Sequence, residues 1–121
     1  MRKSRMIPAV LAATVLVVLS VLSAAPASAS WLNWYCVGSS GGTFDGNYDS
    51  TYGISSIRNS PCGTVSVRVH YYAYVGAPTP IWSNWASSTP TYSIATVNAA
   101  NVIGSQHKSS LSSTIHPMGV Q

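Results

Sequence analysis

The sequence predicts an all-β protein: a small antiparallel sandwich or open barrel of about five to seven strands with one disulfide. Three observations support this fold class: a strictly alternating segment at Thr64–Val75, a composition rich in Ser, Thr, Tyr, Val and Trp, and two cysteines, Cys36 and Cys62. β-Branched and aromatic residues suit the pleated, half-buried surface of a sheet. The aromatic content also argues against a disordered chain.

Residues 1–29 predict an export signal that is removed. A few basic residues precede an apolar run over residues 7–22, and Ala27–Ala29 forms a small-residue cleavage site. The run is a little short for a transmembrane span of ~20 residues. An uncleaved membrane anchor is the alternative. We expect a bacterial exported protein, cleaved after Ala29, with a single secreted domain over residues 30–121 and no membrane span.

The charge of the mature chain argues against nucleic-acid binding. The whole chain has a formal net charge of +4, but most of the excess lies in the predicted signal. The mature part keeps three basic residues against Asp45 and Asp49, a net charge of +1. A nucleic-acid binder that contacts ~6–10 phosphates needs many more cations. We therefore expect no nucleic-acid partner.

The cysteines predict one structural disulfide, Cys36–Cys62. An even pair in an exported protein is typical of a disulfide, and these positions lie 26 residues apart. Closing a loop of that length stabilises the fold by about 3.5 kcal/mol in the chain-entropy description. The pair lacks C-x-x-C spacing, which makes a zinc site the weaker interpretation.

The first half of the domain contains one predicted strand and a long polar segment. The aromatic stretch WLNWYCVG, Trp31–Gly38, predicts the first strand. Ser39–Gly63 is rich in Gly, Ser, Asn and Asp, which predicts a loop with at most one short strand or turn. The disulfide would tether this loop.

Thr64–Val75 gives the clearest strand prediction. Apolar residues occupy the odd positions from Val65 to Val75, while polar residues and tyrosines occupy the even ones. Six consecutive alternations predict a half-buried strand.

The elements after this strand are shorter. Gly76–Pro80 predicts a hairpin turn, and Ile81–Ala86 predicts the returning strand. Thr91–Val97 is another strand candidate, and Asn101–Ile103 is the candidate for a last strand. Residues 105–121 predict either an edge strand or a partly ordered tail.

The hairpin register decides which tryptophan faces outward. With a five-residue loop, Tyr74 lies opposite Trp82, and Tyr71 lies opposite Trp85. Residues three apart on a strand point to opposite faces, so Trp82 would face outward and Trp85 would face the core. A slip of one residue inverts this assignment. The predicted outward binding face comprises Arg68, His70, Tyr72, Tyr74, Trp82 and Asn84.

This face has three interpretations. It could be covered by the rest of the protein, it could be a protein-binding surface, or it could stack on sugar rings with help from Asn84, Arg68 and His70. Tyr and Trp are favoured at protein-binding hot spots. We therefore expect a secreted, non-enzymatic adaptor that binds another exported or cell-surface protein, for example as a small subunit of a secreted complex. A polysaccharide-binding module is one alternative.

A secreted antimicrobial, toxin-like protein acting on competitor cells is the other alternative. In size, export signal, richness in Tyr, Trp and Ser, and near-absence of acidic residues, the chain resembles small antibacterial β-proteins of the lactococcin type. The resemblance is one of class, without a shared motif.

Other chemistries have weak support. Asp45, Asn47 and Asp49 form D-x-N-x-D, but Ser50 and Ser56 stand where a calcium-binding EF-hand needs Gly and Glu. An Asx-rich turn is the simpler interpretation.

The sequence also gives weak support for a histidine metal site and for catalysis. His70, His107 and His116 lack close ligand spacing. The chain has no Glu to form a glycosidase carboxylate pair and no G-x-S-x-G segment. We expect no catalytic residue, no metal and no cofactor.

Overall fold

The computed structural model describes residues 30–38, 40–89 and 91–121, and this part of the chain is all-β. The predicted signal peptide, residues 1–29, lies outside the described residues. Within the described ranges the chain contains no apolar helix long enough to cross a membrane.

In the described residues, nine strands form two antiparallel sheets, rather than the five to seven strands predicted. In chain order they are β1 (Leu32–Val37), β2 (Ser40–Asp49), β3 (Tyr52–Asn59), β4 (Val65–Tyr71), β5 (Ile81–Trp82), β6 (Ala86–Ser87), β7 (Ile94–Asn98), β8 (Val102–Ser109) and β9 (His116–Gly119). The first sheet has the order β1-β2-β3-β7. In the second, β4 pairs with β8 on one side and with the short β5 and β6 on the other, and β9 borders β8.

The two sheets pack face to face in a sandwich-like arrangement, with β4 contributing the centre of the core. Val65, Val67 and Val69 are fully buried, as the alternating pattern predicts. The strand is shorter than predicted, because it ends at Tyr71 instead of Val75.

The predicted disulfide is confirmed. Cys36 in β1 bonds Cys62 in the connection between β3 and β4, with a Cα–Cα distance of 5.2 Å. Both cysteines are buried against Phe44 and Val65. The bond therefore joins the edge of the first sheet to the segment that enters the second.

The prediction of a loop at Ser39–Gly63 is wrong, because this segment contains β2 and β3, paired as a hairpin. Glycines occupy inward-facing positions of this hairpin because large side chains from other strands fill the adjacent space. A Cβ at Gly46 would lie 2.5 Å from Trp34 Cζ3 and 2.7 Å from His107 Nδ1. A Cβ at Gly53 would lie 2.5 Å from Val69 Cγ1. Glycine here reflects close packing rather than a flexible turn.

The C-terminal third contains more strand than the sequence predicts. The candidate at Asn101–Ile103 is the start of β8, which has eight residues, and residues 116–119 form the edge strand β9. The inward residues of β8 include Ser105, His107 and Ser109, all buried. Because these residues are polar, the segment shows no apolar alternation from which a strand could be predicted.

Candidate binding surface

The outer face of the second sheet is built on the even positions of β4. Since Val67 and Val69 point inward, Arg68 and His70 point to the opposite face. The neighbouring strand β8 places Gln106 opposite Arg68 and Lys108 opposite Ser66. Two cations therefore lie on adjacent strands of one face.

An irregularity between β5 and β6 brings both tryptophans to this face. Trp82 lies opposite His70, whereas Ala86 lies opposite Val67. Three residues, Ser83 to Trp85, thus oppose only two residues of β4, which is a β-bulge. The Ser83 N–H donates to the Val69 carbonyl at 2.9 Å, and the Val69 N–H donates to Ser83 Oγ at 3.0 Å.

The expectation that Trp85 faces the core is therefore wrong. The extra residue in the bulge reverses the direction of Trp85, so Trp82 and Trp85 share a face although they are three apart. Ser83 and Asn84 favour irregular backbone, and they are the sequence signal that could have indicated the bulge.

Five residues form what we call the cation–aromatic cluster: Arg68, His70, Trp82, Trp85 and Lys108. The His70 ring stacks on Trp82, with centroids 4.4 Å apart and an interplanar angle of 9°. Arg68 Cζ lies over both indoles, 4.7 Å from the Trp82 centroid and 4.9 Å from the Trp85 centroid. Lys108 Nζ lies 4.1 Å from the Trp85 centroid. Such contacts stabilise a cation over an indole by about 0.5–2 kcal/mol.

Hydrogen bonds hold the polar members of the cluster in place. Arg68 Nε donates to Gln106 Oε1 at 2.8 Å, and Gln106 Nε2 donates to Gln121 Oε1 at 3.1 Å. His70 Nδ1 lies 3.0 Å from the Val120 carbonyl oxygen. That oxygen can only accept, so Nδ1 carries the proton. The segment after β9 therefore supports the cluster.

The remaining predicted site residues lie apart from the cluster. β4 ends before Tyr72, so the predicted pair Tyr74–Trp82 does not form, and Tyr71 lies opposite Ile81 instead of Trp85. Tyr72 is half-buried, and Tyr74 is 62% exposed in the connection to β5. Asn84 is exposed in the bulge. The true register differs from the predicted one by four residues, an even number, so Trp82 keeps its predicted face.

Lys108 is the second residue that the sequence-based site omitted. Lys108 is half-buried in β8. The inward residues of β8 are largely polar, so the sequence of this strand does not alternate between apolar and polar residues. The three residues that the prediction shares with the cluster are Arg68, His70 and Trp82.

The acidic residues lie elsewhere and already have partners. Asp45 lies in β2 rather than in a calcium loop, and its carboxylate is 2.7 Å from Arg58 Nη2 and 2.7 Å from Asn33 Nδ2. Asp49 caps the β2–β3 turn, where its Oδ1 accepts from the Thr51 N–H at 2.7 Å. In the part of the chain that the structure describes, no three His, Cys, Asp or Glu side chains are placed to hold a metal ion.

The other two histidines form an interior counterpart, the histidine stack, which comprises Trp34, His107 and His116. Trp34 stacks on His107 at 5.3 Å and on His116 at 4.8 Å between centroids. His107 is fully buried, with Ser55 Oγ 2.8 Å from Nδ1 and Ser105 Oγ 2.6 Å from Nε2. Burial, with a smaller contribution from His116, lowers the pKa of His107 to about 4. Burial also lowers the pKa of His116.

Fold and site together define a class of protein: a small, disulfide-bonded domain of two antiparallel sheets with a cationic, aromatic outer face. We found no match to the chain among protein-family models, curated proteins or solved structures. The geometry of the cluster is therefore what indicates the function of this domain.

Proposed function

We propose that the mature chain is a secreted, non-enzymatic adaptor that binds another exported or cell-surface protein through the cation–aromatic cluster. One observation carries the proposal: two tryptophans and two cations share one outer sheet face, supported by the central strand β4. Trp and Arg are enriched among the residues that dominate protein–protein binding energy.

The supporting contacts favour this use of the face. Gln106 holds the Arg68 guanidinium, and the Val120 carbonyl holds His70. Side chains that are already ordered lose little conformational entropy on binding, which favours affinity. Trp82 and Trp85 are half-buried, so a partner could cover the exposed part of each ring.

Secretion is part of the same proposal. It is supported by the export signal predicted at residues 1–29 and by the disulfide, which is compatible with an oxidising compartment. The absence of a recognisable catalytic motif in the sequence supports a non-enzymatic role.

Sugar stacking is a less favourable use of these tryptophans. A sugar needs an open ring face, whereas Trp82 already has His70 and Arg68 against it, and Trp85 has Arg68 and Lys108. These groups compete with a sugar for the π surface.

The experiment is affinity capture from the culture supernatant of the producing cells with N-terminally tagged mature protein. A captured protein is identified by mass spectrometry, purified and titrated against wild type and variants. We expect Trp82→Ala and Trp85→Ala each to weaken binding by tenfold or more, in line with hot-spot losses of about 2 kcal/mol. The matched control is Tyr92→Ala, since Tyr92 is an aromatic residue 70% exposed outside the cluster.

Three results would count against the adaptor. Equal binding by the tryptophan variants and Tyr92→Ala would remove the cluster from the interface. Growth inhibition of competitor cells by the purified protein alone would favour the antimicrobial alternative. Quenching of tryptophan fluorescence by a neutral polysaccharide would favour the carbohydrate-binding alternative.

A further inference from the structure

Building on the proposed function, we infer that Arg68 is an anion-binding fork that takes a carboxylate from an acidic, extended segment of the partner protein, with Lys108 taking a second.

The guanidinium of Arg68 is held in place with part of its hydrogen-bonding capacity unused. Its Nε donates to Gln106 Oε1, while no described residue accepts a hydrogen bond from Nη1 or Nη2. The two indoles and Gln106 restrict the guanidinium, so the outer pair of nitrogens is already oriented. A fork of this kind matches the two oxygens of a carboxylate in a bidentate pair.

Among the residues that the structure describes, none supplies the complementary charge to Arg68 or Lys108. On the first sheet, Arg58 has its own carboxylate, Asp45, at 2.7 Å. On the second sheet, no carboxylate among the described residues lies within ion-pair distance of Arg68 or Lys108. Half-buried cations without a counter-charge favour an anion from outside the molecule.

The spacing of the two cations favours a polypeptide in extended conformation. Lys108 lies opposite Ser66, two positions from Arg68 on β4, so the two cations are diagonal neighbours. Diagonal neighbours on adjacent strands are about 7–8 Å apart. In an extended chain, side chains on one side repeat every two residues, about 6.6–6.8 Å. Acidic residues at alternate positions therefore match Arg68 and Lys108.

Two cations are also too few for a polyanion such as a nucleic acid, whose binding normally engages several phosphates. A protein segment with two or three carboxylates and apolar neighbours for the tryptophans fits both the number of charges and the aromatic surface.

The test uses the mature protein and a fluorescein-labelled peptide, Gly-Ser-Asp-Ser-Asp-Ser-Asp-Gly, with an Asn-for-Asp peptide as its neutral control. Fluorescence anisotropy gives the affinity at low and at physiological ionic strength. We expect binding of the acidic peptide only, weakened by added salt because the ion pairs are partly exposed.

The deciding variants are Arg68→Lys and Arg58→Lys. Both retain the positive charge and remove the fork, but they lie on different sheets. We expect about tenfold weaker binding for Arg68→Lys, because an ammonium cannot reproduce the bidentate pair, and less than twofold for Arg58→Lys. Lys108→Gln, at the second cation, should weaken binding several-fold and remains informative if Arg68→Lys does not fold.

Several results would overturn the inference. They are equal affinity for the acidic and neutral peptides, equal effects of the two Arg→Lys variants, and tighter binding of polygalacturonate than of the peptide at equal carboxylate concentration. The last result would assign the site to a carboxylated glycan. If the captured partner depends on Trp82 and Trp85 but not on Arg68, the adaptor function stands and the fork is wrong.

Discussion

The histidine stack and the cation–aromatic cluster use the same pair of ring systems in opposite surroundings. Inside the sandwich, Trp34 stacks on His107 and His116; outside, Trp82 stacks on His70. The interior histidine has both ring nitrogens hydrogen-bonded by serines and a lowered pKa. The outer tryptophans instead have permanent cations over them. Both histidines, His70 and His107, are buried, and Trp34 and Trp82 are both half-buried. The two regions therefore differ in the permanent cations, Arg68 and Lys108, that lie over the outer indoles.

The histidine stack should contribute mainly to stability, whereas the cation–aromatic cluster should contribute mainly to binding. Every buried side-chain nitrogen and oxygen in the described residues has a hydrogen-bond partner, so the interior is polar yet satisfied. The outer cluster retains donors, on the Arg68 guanidinium, to which no described residue supplies an acceptor. Changes to the interior should therefore lower the free energy of unfolding, whereas changes to the cluster should act mainly on binding.

The largest effect should come from removing the disulfide beside the histidine stack. The double variant Cys36→Ala/Cys62→Ala should lower the free energy of unfolding by about 3.5 kcal/mol, because the unfolded chain loses its cross-link. Urea unfolding monitored by tryptophan fluorescence gives the value. A loss below ~1 kcal/mol would mean that the cross-link restricts the unfolded state very little.

The second largest effect should come from lowering the pH, which should reduce the free energy of unfolding. The pKa of His107 is lowered to about 4 from 6.5, so between these pH values the unfolded chain binds a proton that the folded protein does not. Stability from this group is constant above pH ~6.5 and falls by about 3 kcal/mol as the pH approaches 4. Protonation of His116 acts in the same direction.

Urea unfolding between pH 7.5 and 4 measures this dependence. His107→Gln should be much flatter over the window, while Trp82→Ala should keep the wild-type slope. An unchanged slope in His107→Gln would show that other groups cause the acid sensitivity.

A matched pair of tryptophan variants compares the two regions directly. Trp34→Ala should cost about 2–3 kcal/mol, somewhat below the cost for a fully buried ring, because Trp34 is half-buried but contacts Phe44 and both histidines. Trp82→Ala should cost about 1 kcal/mol or less. Thermal and urea unfolding of both variants test the difference, and equal losses would contradict the division between the regions.

The smallest effect should come from Lys108→Met, which retains an unbranched stem and removes the charge over Trp85. We expect a loss of about 0.5 kcal/mol in the free energy of unfolding, typical of an exposed cation–π contact. Added salt should reduce the difference between variant and wild type. A loss above ~2 kcal/mol would show that Lys108 contributes mainly to the stability of the fold.

The sequence predicted those parts of the fold in which apolar residues alternate. Val65, Val67 and Val69 gave β4, and the cysteine pair gave the disulfide. The sequence does not predict β2 and β3, because their inward positions include Gly46 and Gly53, whose small size makes room for rings and valines from other strands. That complementarity exists only in three dimensions, so no local pattern reports it.

Local alternation likewise predicts only part of the cation–aromatic cluster. Arg68, His70 and Trp82 follow from strand alternation, which operates locally. Alternation places Trp85 in the core, because it takes no account of the bulge. It gives no orientation for Lys108, because the inward face of that strand, β8, is polar.

The bulge also has a consequence for how relatives of this protein could differ. Without Asn84, the pairing of β4 with its neighbour would be regular. The two tryptophans, then two apart in sequence, would share a face by ordinary strand alternation. Chains with W-x-N-W and chains with W-x-W could thus present the same surface.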